Sequence, residues 1–274
     1  MMHILVATGG STHSNIALQQ CLSIAKLCVV EATILSVIER EDDEPEANAI
    51  LTQATALLDT AVRSLTTKIR IGSPHEEIVA EAATEIYDLL ILGEKSQLSL
   101  LARLMGPTAQ RVIAQTEHPV LLAKQDAHIL HRILLCESGV LSLSLVDRLA
   151  AQLPDLLECA QEVTLLHVMS QISAAPWVEG QDLQAGAKEL MVAQTPEGEW
   201  LVHDLEVLQQ VEVAVTPKVR HGLVIEEILA EASDGRYDLI VIGAHPSEGW
   251  QRFLLEDVAA QIVLKAERPV LVIP

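Results

Sequence analysis

One repeat constrains this chain more than any other feature. "GSPHEEIVAEAATEIYDLLILG" at 72–93 matches "GLVIEEILAEASDGRYDLIVIG" at 222–243 without a gap. Gly72 and Gly222, Asp88 and Asp238, Gly93 and Gly243, and Pro119 and Pro269 are each 150 residues apart. Earlier, "TILSV" (33–37) matches "TLLHV" (164–168) at an offset of 131, so the second copy holds 19 extra residues between 169 and about 205. That insertion, which includes "VAQTPEGEWLVHDL", reads as a loop with a hairpin around Pro196-Glu197-Gly198. Two copies, each long enough to fold alone, mean a duplicated domain rather than a solenoid. The boundaries expected are 1–124 for the first domain, 125–131 for a linker and 132–274 for the second.

Strands and helices alternate within each copy. "HILVAT" is a short apolar run, and "SNIALQQCLSIAKLC" follows with apolar residues at helical spacing and Ser11 or Thr12 as its cap. "EATILSVI" is a second strand. The acidic "EREDDEPEA" (39–47) reads as a solvated loop before a helix over roughly 48–65. "TKIRIG", "EEIVAEAATEI", "YDLLILG", a long loop, a helix over 107–115 and "HPVLLA" complete the series. Strands that are apolar throughout, separated by helices, predict a parallel sheet covered on both faces. The fold class is therefore α/β, with two tandem domains that each carry five parallel strands.

Composition excludes several functions. The net charge is −20, with 9 Lys/Arg against 15 Asp/Glu in residues 1–124 and 9 against 23 in the remainder. Nucleic acid would be repelled by either half, and there is no basic stripe interleaved with stacking aromatics. Apolar runs fall short of the roughly 18–20 residues of a membrane span. "MMHILVATGG" has no signal-type pattern, so the expectation is a cytoplasmic protein with neither membrane nor nucleic-acid partner. Cys21, Cys28, Cys136 and Cys159 form no CxxC pair and read as small buried residues. The scattered histidines predict no metal site.

The five segments in order, twice, resemble the universal stress protein family. "ILVATGGS" (4–11), the segment at 72–78, "YDLLILG" with its long loop, and "HPVLLA" carry the resemblance in the first copy. "GLVIEEI", "YDLIVIG" and "RPVLVI" carry it in the second. The resemblance implies the strand order 3-2-1-4-5, with two copies packed as a pseudo-dimer through their closing strands, Pro119–Ala123 with Pro269–Ile273. Such an apolar edge strand invites pairing; further homo-oligomerisation and an unidentified protein partner are also expected.

In such a sheet a ligand settles outside the carboxyl ends of strands one and four. Nucleotide-binding members of the family have there Gly, two residues, Gly, nine residues, Gly, then Ser or Thr, with an acid at the end of strand one for the ribose. Glycines let backbone amides approach phosphate, and a helix N-terminus adds donors and partial positive charge. The first copy keeps Gly93 and Gly106 but places Ser96 at the second glycine, Pro107 at the hydroxyl position and Gly9 where the acid is expected. Thr108 can supply the hydroxyl one residue later. The residues expected to contact ATP or another adenine nucleotide are Thr8, Gly9, Gly10, Ser11, Val37, Gly93, Ser96, Gly106 and Thr108. In the second copy Gly243 survives, but Pro246, Glu256 and Asp257 replace the rest. Two carboxylates at a helix start satisfy its donors and repel phosphate, so no second site is expected.

The reading implied is a non-catalytic stress-response protein that senses an adenine nucleotide or acts as an interaction module. Two alternatives stand beside it. One is a pseudo-dimer that binds only proteins. The other is an ATP pyrophosphatase-like enzyme, suggested by "TGGSTHS" (8–14), although Thr12 and His13 replace the aspartate and final serine of that loop. Ser11 and His13, two residues apart at a helix start, lack a third orienting group for nucleophilic catalysis.

Overall fold

The computed structural model describes every residue except 95–106, 125–126, 128, 138–143, 171–184, 212 and 245–257. Each apolar run becomes a strand and each amphipathic stretch a helix. In chain order they are β1 (Met2–Ala7), α1 (Thr12–Ala25), β2 (Val30–Ile38), α2 (Glu44–Leu58), β3 (Ser64–Ile71), α3 (Pro74–Ala82), β4 (Leu89–Gly93), α4 (Pro107–Gln115) and β5 (Val120–Ala123). The second repeat continues with β6 (Arg132–Glu137), α5 (Leu145–Gln152), α6 (Pro154–Glu158), β7 (Glu162–Met169), α7 (Ala187–Ala193), α8 (Pro196–Gln210), β8 (Ala214–His221), α9 (Val224–Asp234), β9 (Leu239–Gly243), α10 (Val258–Lys265) and β10 (Val270–Ile273).

Two compact units result. The first comprises Met1–Leu130, Ala244–Val272 and Pro274; the second comprises His131–Gly243 and Ile273. In the first unit the strand order is β3-β2-β1-β4-β5-β10. β1 to β5 run parallel, and β10 joins β5 antiparallel, with Val270 opposite Leu122 and Val272 opposite Val120. In the second unit the order is β9-β6-β7-β8, all parallel. Side chains of β4 and β9 are buried on both sheet faces, Leu89 to Ile91 and Leu239 to Val241 having no exposed surface. That is why these strands are apolar throughout rather than alternating.

A buried carboxylate recurs in both units beneath the edge strand. In the first, Glu81 accepts from Lys68 Nζ at 2.6 Å, Tyr87 OH at 3.0 Å and Arg70 Nη1 at 3.3 Å. In the second, Glu231 takes Lys218 at 2.7 Å, Tyr237 OH at 2.7 Å and Arg220 Nη1 at 2.9 Å. Burial pushes both carboxyls up, but these donors outweigh it and hold them below the usual range.

Three expectations are corrected by the structure. Residues 41–43 of the acidic segment form a 3-10 turn, and α2 starts at Glu44, earlier than its apolar spacing suggests. Glu44 and Glu46 stand in its first turn, Pro45 is tolerated there, and acids favour the positive end of a helix. Pro196-Glu197-Gly198 is no hairpin; it opens α8. Thr195 caps that helix by accepting from the Gly198 amide at 3.1 Å. Pro196 needs no amide at the first helical position, and a Cβ on Gly198 would meet the Leu190 carbonyl oxygen at 2.1 Å. α8 therefore stands 150 residues after α2 register by register, Leu201 and Leu208 being buried like Leu51 and Leu58, and the extra residues precede Thr195. Third, Cys159 is only half-buried, unlike the other three cysteines.

Candidate functional site

β1 ends in a short loop that turns into α1. The Thr8 amide donates to the Leu35 carbonyl at 2.8 Å, which keeps that residue in the sheet. Gly9 and Gly10 then bring the exposed chain out, and Gly10 has a φ of 71°, the left-handed conformation that glycine adopts without strain. A side chain there would also strike Ile50 of α2, whose Cδ1 lies 2.8 Å from the place a Cβ would take. Ser11 is extended and caps α1: its Oγ accepts from the Ser14 amide at 3.2 Å. No acid stands in the first turn of this helix.

Gly93 closes β4 directly against that turn. A Cβ on Gly93 would lie 2.0 Å from the His13 carbonyl oxygen, so only glycine allows the strand end and the α1 start to meet. The structure thus brings Thr8, Gly9, Gly10 and Ser11 together with Gly93 at the carboxyl ends of β1 and β4. Val37 is half-buried near the end of neighbouring β2, and Thr108 is half-buried in the first turn of α4. Ser96 and Gly106 lie outside the described residues. At the root of the long loop, Glu94 forms an ion pair with Lys124 at 2.7 Å, both side chains nearly buried. Lys124 also donates to the carbonyls of Val263 and Ala266 (2.8 Å for the latter), capping the end of α10.

The same place in the second unit is built differently. Ile4 pairs with Leu89, and Ile133 with Leu239, so Glu137 corresponds to Thr8. Glu137 is buried, and its Oε2 accepts from the Leu145 amide at the start of α5 at 2.8 Å. Ser144 caps that helix and Asp147 stands in its first turn. A Cβ on Gly243 would meet Arg148 Nη2 at 2.6 Å, and Arg148 Nη1 donates to the Ile273 carbonyl at 3.3 Å. His167, at the position of Ser36, is bonded through Nδ1 to the Glu137 carbonyl at 3.2 Å and meets the edge of Trp200 with ring centroids 4.9 Å apart. Burial lowers the proton affinity of its imidazole. Pro246, Glu256 and Asp257, expected to seal this site, lie outside the described residues.

Glu137 was not among the residues singled out in the sequence, although "RILLCES" aligned on "HILVATG" puts an acid at the strand end. Asp204 was missed as well. It falls on the buried stripe of α8 with Leu201 and Leu208, where Ala54 stands in α2, and helical periodicity alone does not flag a polar residue there. Among the described residues, no group of three or more His, Cys, Asp or Glu is disposed to hold a metal ion, and no helix is long and apolar enough to cross a membrane.

Comparisons with known proteins agree with the architecture. A solved universal stress protein from Archaeoglobus fulgidus aligns over 98% of this chain and 97% of its own, at 18% identity and a TM-score of 0.75. A functionally unknown protein from Pseudomonas aeruginosa, PA1789, aligns over 100% and 92%, at 18% identity and a TM-score of 0.69. At such identity these show a shared fold. Universal stress protein MJ0577 of Methanocaldococcus jannaschii is 39% identical over 57 residues, 21% of this chain and 35% of that relative. The match therefore spans well under two thirds of that relative. The model of the universal stress protein family matches residues 1–124 and again 137–274. Both repeats are matched almost throughout, and the chain belongs to the universal stress protein family.

Proposed function

We propose that this chain is a non-catalytic, cytoplasmic stress-response protein that senses an adenine nucleotide in its first repeat and holds none in its second. The contact of Gly93 with the first turn of α1 carries this reading. It sets the glycine end of β4 beside the Gly9-Gly10-Ser11 turn, at a helix start free of carboxylates, where backbone amides and a helix dipole favour phosphate. Thr8, Val37, Ser96, Gly106 and Thr108 complete the proposed contacts, with adenosine toward β2 and phosphates toward the loop that precedes α4. In the second repeat the Glu137 carboxylate already occupies the start of α5, and Asp147 adds a second negative charge. The non-catalytic assignment is supported by Ser11, whose hydroxyl donates to Ser14 Oγ at 3.2 Å while accepting from its amide. No general base is directed at it by these bonds. The functional domains proposed are 1–124 and 132–274, joined by 125–131.

A second reading, a protein-interaction module without nucleotide, is favoured by the antiparallel pairing of β5 with β10, which would serve assembly whatever the ligand. Thermal unfolding separates the two. Ligand at 100 times its dissociation constant stabilises a fold by about 2.7 kcal/mol, a shift of several degrees for a domain of this size. The sensing reading requires that shift with millimolar ATP, AMP or cyclic AMP, and its loss in Gly106→Asp. Identical melting curves with and without nucleotide would leave the interaction module.

A further inference from the structure

α8 is joined to the start of α5 by two adjacent side chains, and both contacts involve a proton. Asp204 has 0% exposure. Its Oδ1 accepts from Ser144 Oγ at 2.8 Å, while Oδ2 is buried and makes no hydrogen bond among the described residues. Ser144 is the cap of α5, its Oγ accepting from the Asp147 amide at 3.1 Å. One residue earlier, His203 Nε2 lies 3.2 Å from Asp147 Oδ2, a more exposed pair. An ionised Asp204 would leave a buried charge with one hydroxyl partner beside two other acids, which is costly. The neutral carboxylic acid fits the site.

We propose that this α5–α8 junction is a proton-operated latch: a neutral Asp204 and a charged His203 hold α8 against α5, with Trp200 on His167 of β7, and loss of both protons releases it.

The surrounding groups agree in direction. Glu137 from β6 and Asp147 from α5 both bear on Asp204, and His203 opposes them from α8 itself. Burial first, then these acids, push the Asp204 carboxyl up to about 7, against the Ser144 hydrogen bond. His203 is raised by its bond to Asp147, with the charges of Asp147 and Glu206 adding to it. The other elements packed on α8 bring Lys188 and Glu189 from α7, which are exposed, and Lys218 and Arg220 from β8, which are engaged by Glu231. His221 of β8 bonds to the Ala185 carbonyl, and His167 of β7 rests against Trp200. For Asp204 the folded state binds its proton more tightly than the unfolded chain, so stability falls as pH rises from the ordinary carboxylate range through about 7. The His203 contribution is present below the ordinary histidine range and is also lost as pH rises. Both contacts therefore weaken across neutrality.

Hydrogen exchange of the full chain, followed by mass spectrometry on peptides from α8 and corrected for intrinsic rates, tests the latch. With the Asp204 carboxyl near 7 in the fold and near 4 in the open chain, α8 protection should fall by about tenfold between pH 6 and pH 8.5. In Asp204→Asn, which cannot ionise, the fall should shrink to about twofold or less, while α1 in the first unit should show no such trend in either protein. Protection of α8 that is constant with pH in the wild-type chain would overturn the proposal, as would an equal fall in Asp204→Asn. The wild-type profile decides alone should that variant misfold.

Discussion

The two repeats agree where they hold themselves together and part where a ligand would sit. Under β3 and under β8 the same Lys, Arg and Tyr converge on the same buried glutamate. At the strand ends and on the helices α2 and α8 the first repeat has Thr8, Ser36, Ile50, Ala54 and Ile71, whereas the second has Glu137, His167, Trp200, Asp204 and His221. Duplication thus copied a charge network inside the fold and left the loop end open to change. A buried carboxylate that is fully bonded tolerates no loss of partner, which keeps it fixed. This end of the sheet carries no such demand, so the first copy has uncharged side chains there while the second has Glu137, His167, Asp204 and His221.

Three experiments break or sharpen this comparison. The largest effect should come from the shared network. Glu81→Ala and Glu231→Ala each remove the acceptor of a buried tyrosine hydroxyl and of two cations, although Lys68, Arg70 and Arg220 keep Glu85, Glu77 and Glu227, so each should destabilise its unit by about 3 kcal/mol, measured by urea unfolding. Losses below about 1 kcal/mol in either would show that the network is not the common support proposed here.

Next come the two strand-end glycines, which look identical in sequence. Gly93→Ala must push backbone, because its Cβ would sit 2.0 Å from the His13 carbonyl oxygen, and should cost about 2–3 kcal/mol. Gly243→Ala meets the movable end of Arg148 at 2.6 Å and should cost about 1 kcal/mol or less. Equal costs at the two sites would mean that α1 is no closer to its strand than α5, and would weaken the case for a preserved cradle.

Much of this was legible in the sequence. The gapless match across 72–93 and 222–243 marks α3–β4 and α9–β9 because the insertion lies outside them, and the apolar runs mark the strands because both faces of the sheet are buried. The strand order came from family resemblance, since spacing alone does not say which strands are neighbours. Pro196-Glu197-Gly198 misled because proline and glycine signal turns in general, yet here proline starts a helix and glycine lets α7 and α8 touch. Asp204 was invisible because its role depends on Ser144, 60 residues earlier in the chain. The closeness of Gly93 to His13 was likewise a tertiary fact; only the glycine itself could be read.

The central claim is one nucleotide site per chain, in the first repeat. Calorimetric titration of ATP into the full chain tests it most directly, with Gly106→Asp and Gly9→Asp alongside. Gly9 has open space for a side chain, and an acid there would restore the ribose partner the family pattern includes; a charged hydrogen bond of this kind is worth about 1.5 kcal/mol, roughly tenfold in affinity. The account predicts a stoichiometry of one, tighter binding in Gly9→Asp and none in Gly106→Asp. Two sites per chain, or a single site indifferent to both substitutions, would contradict it.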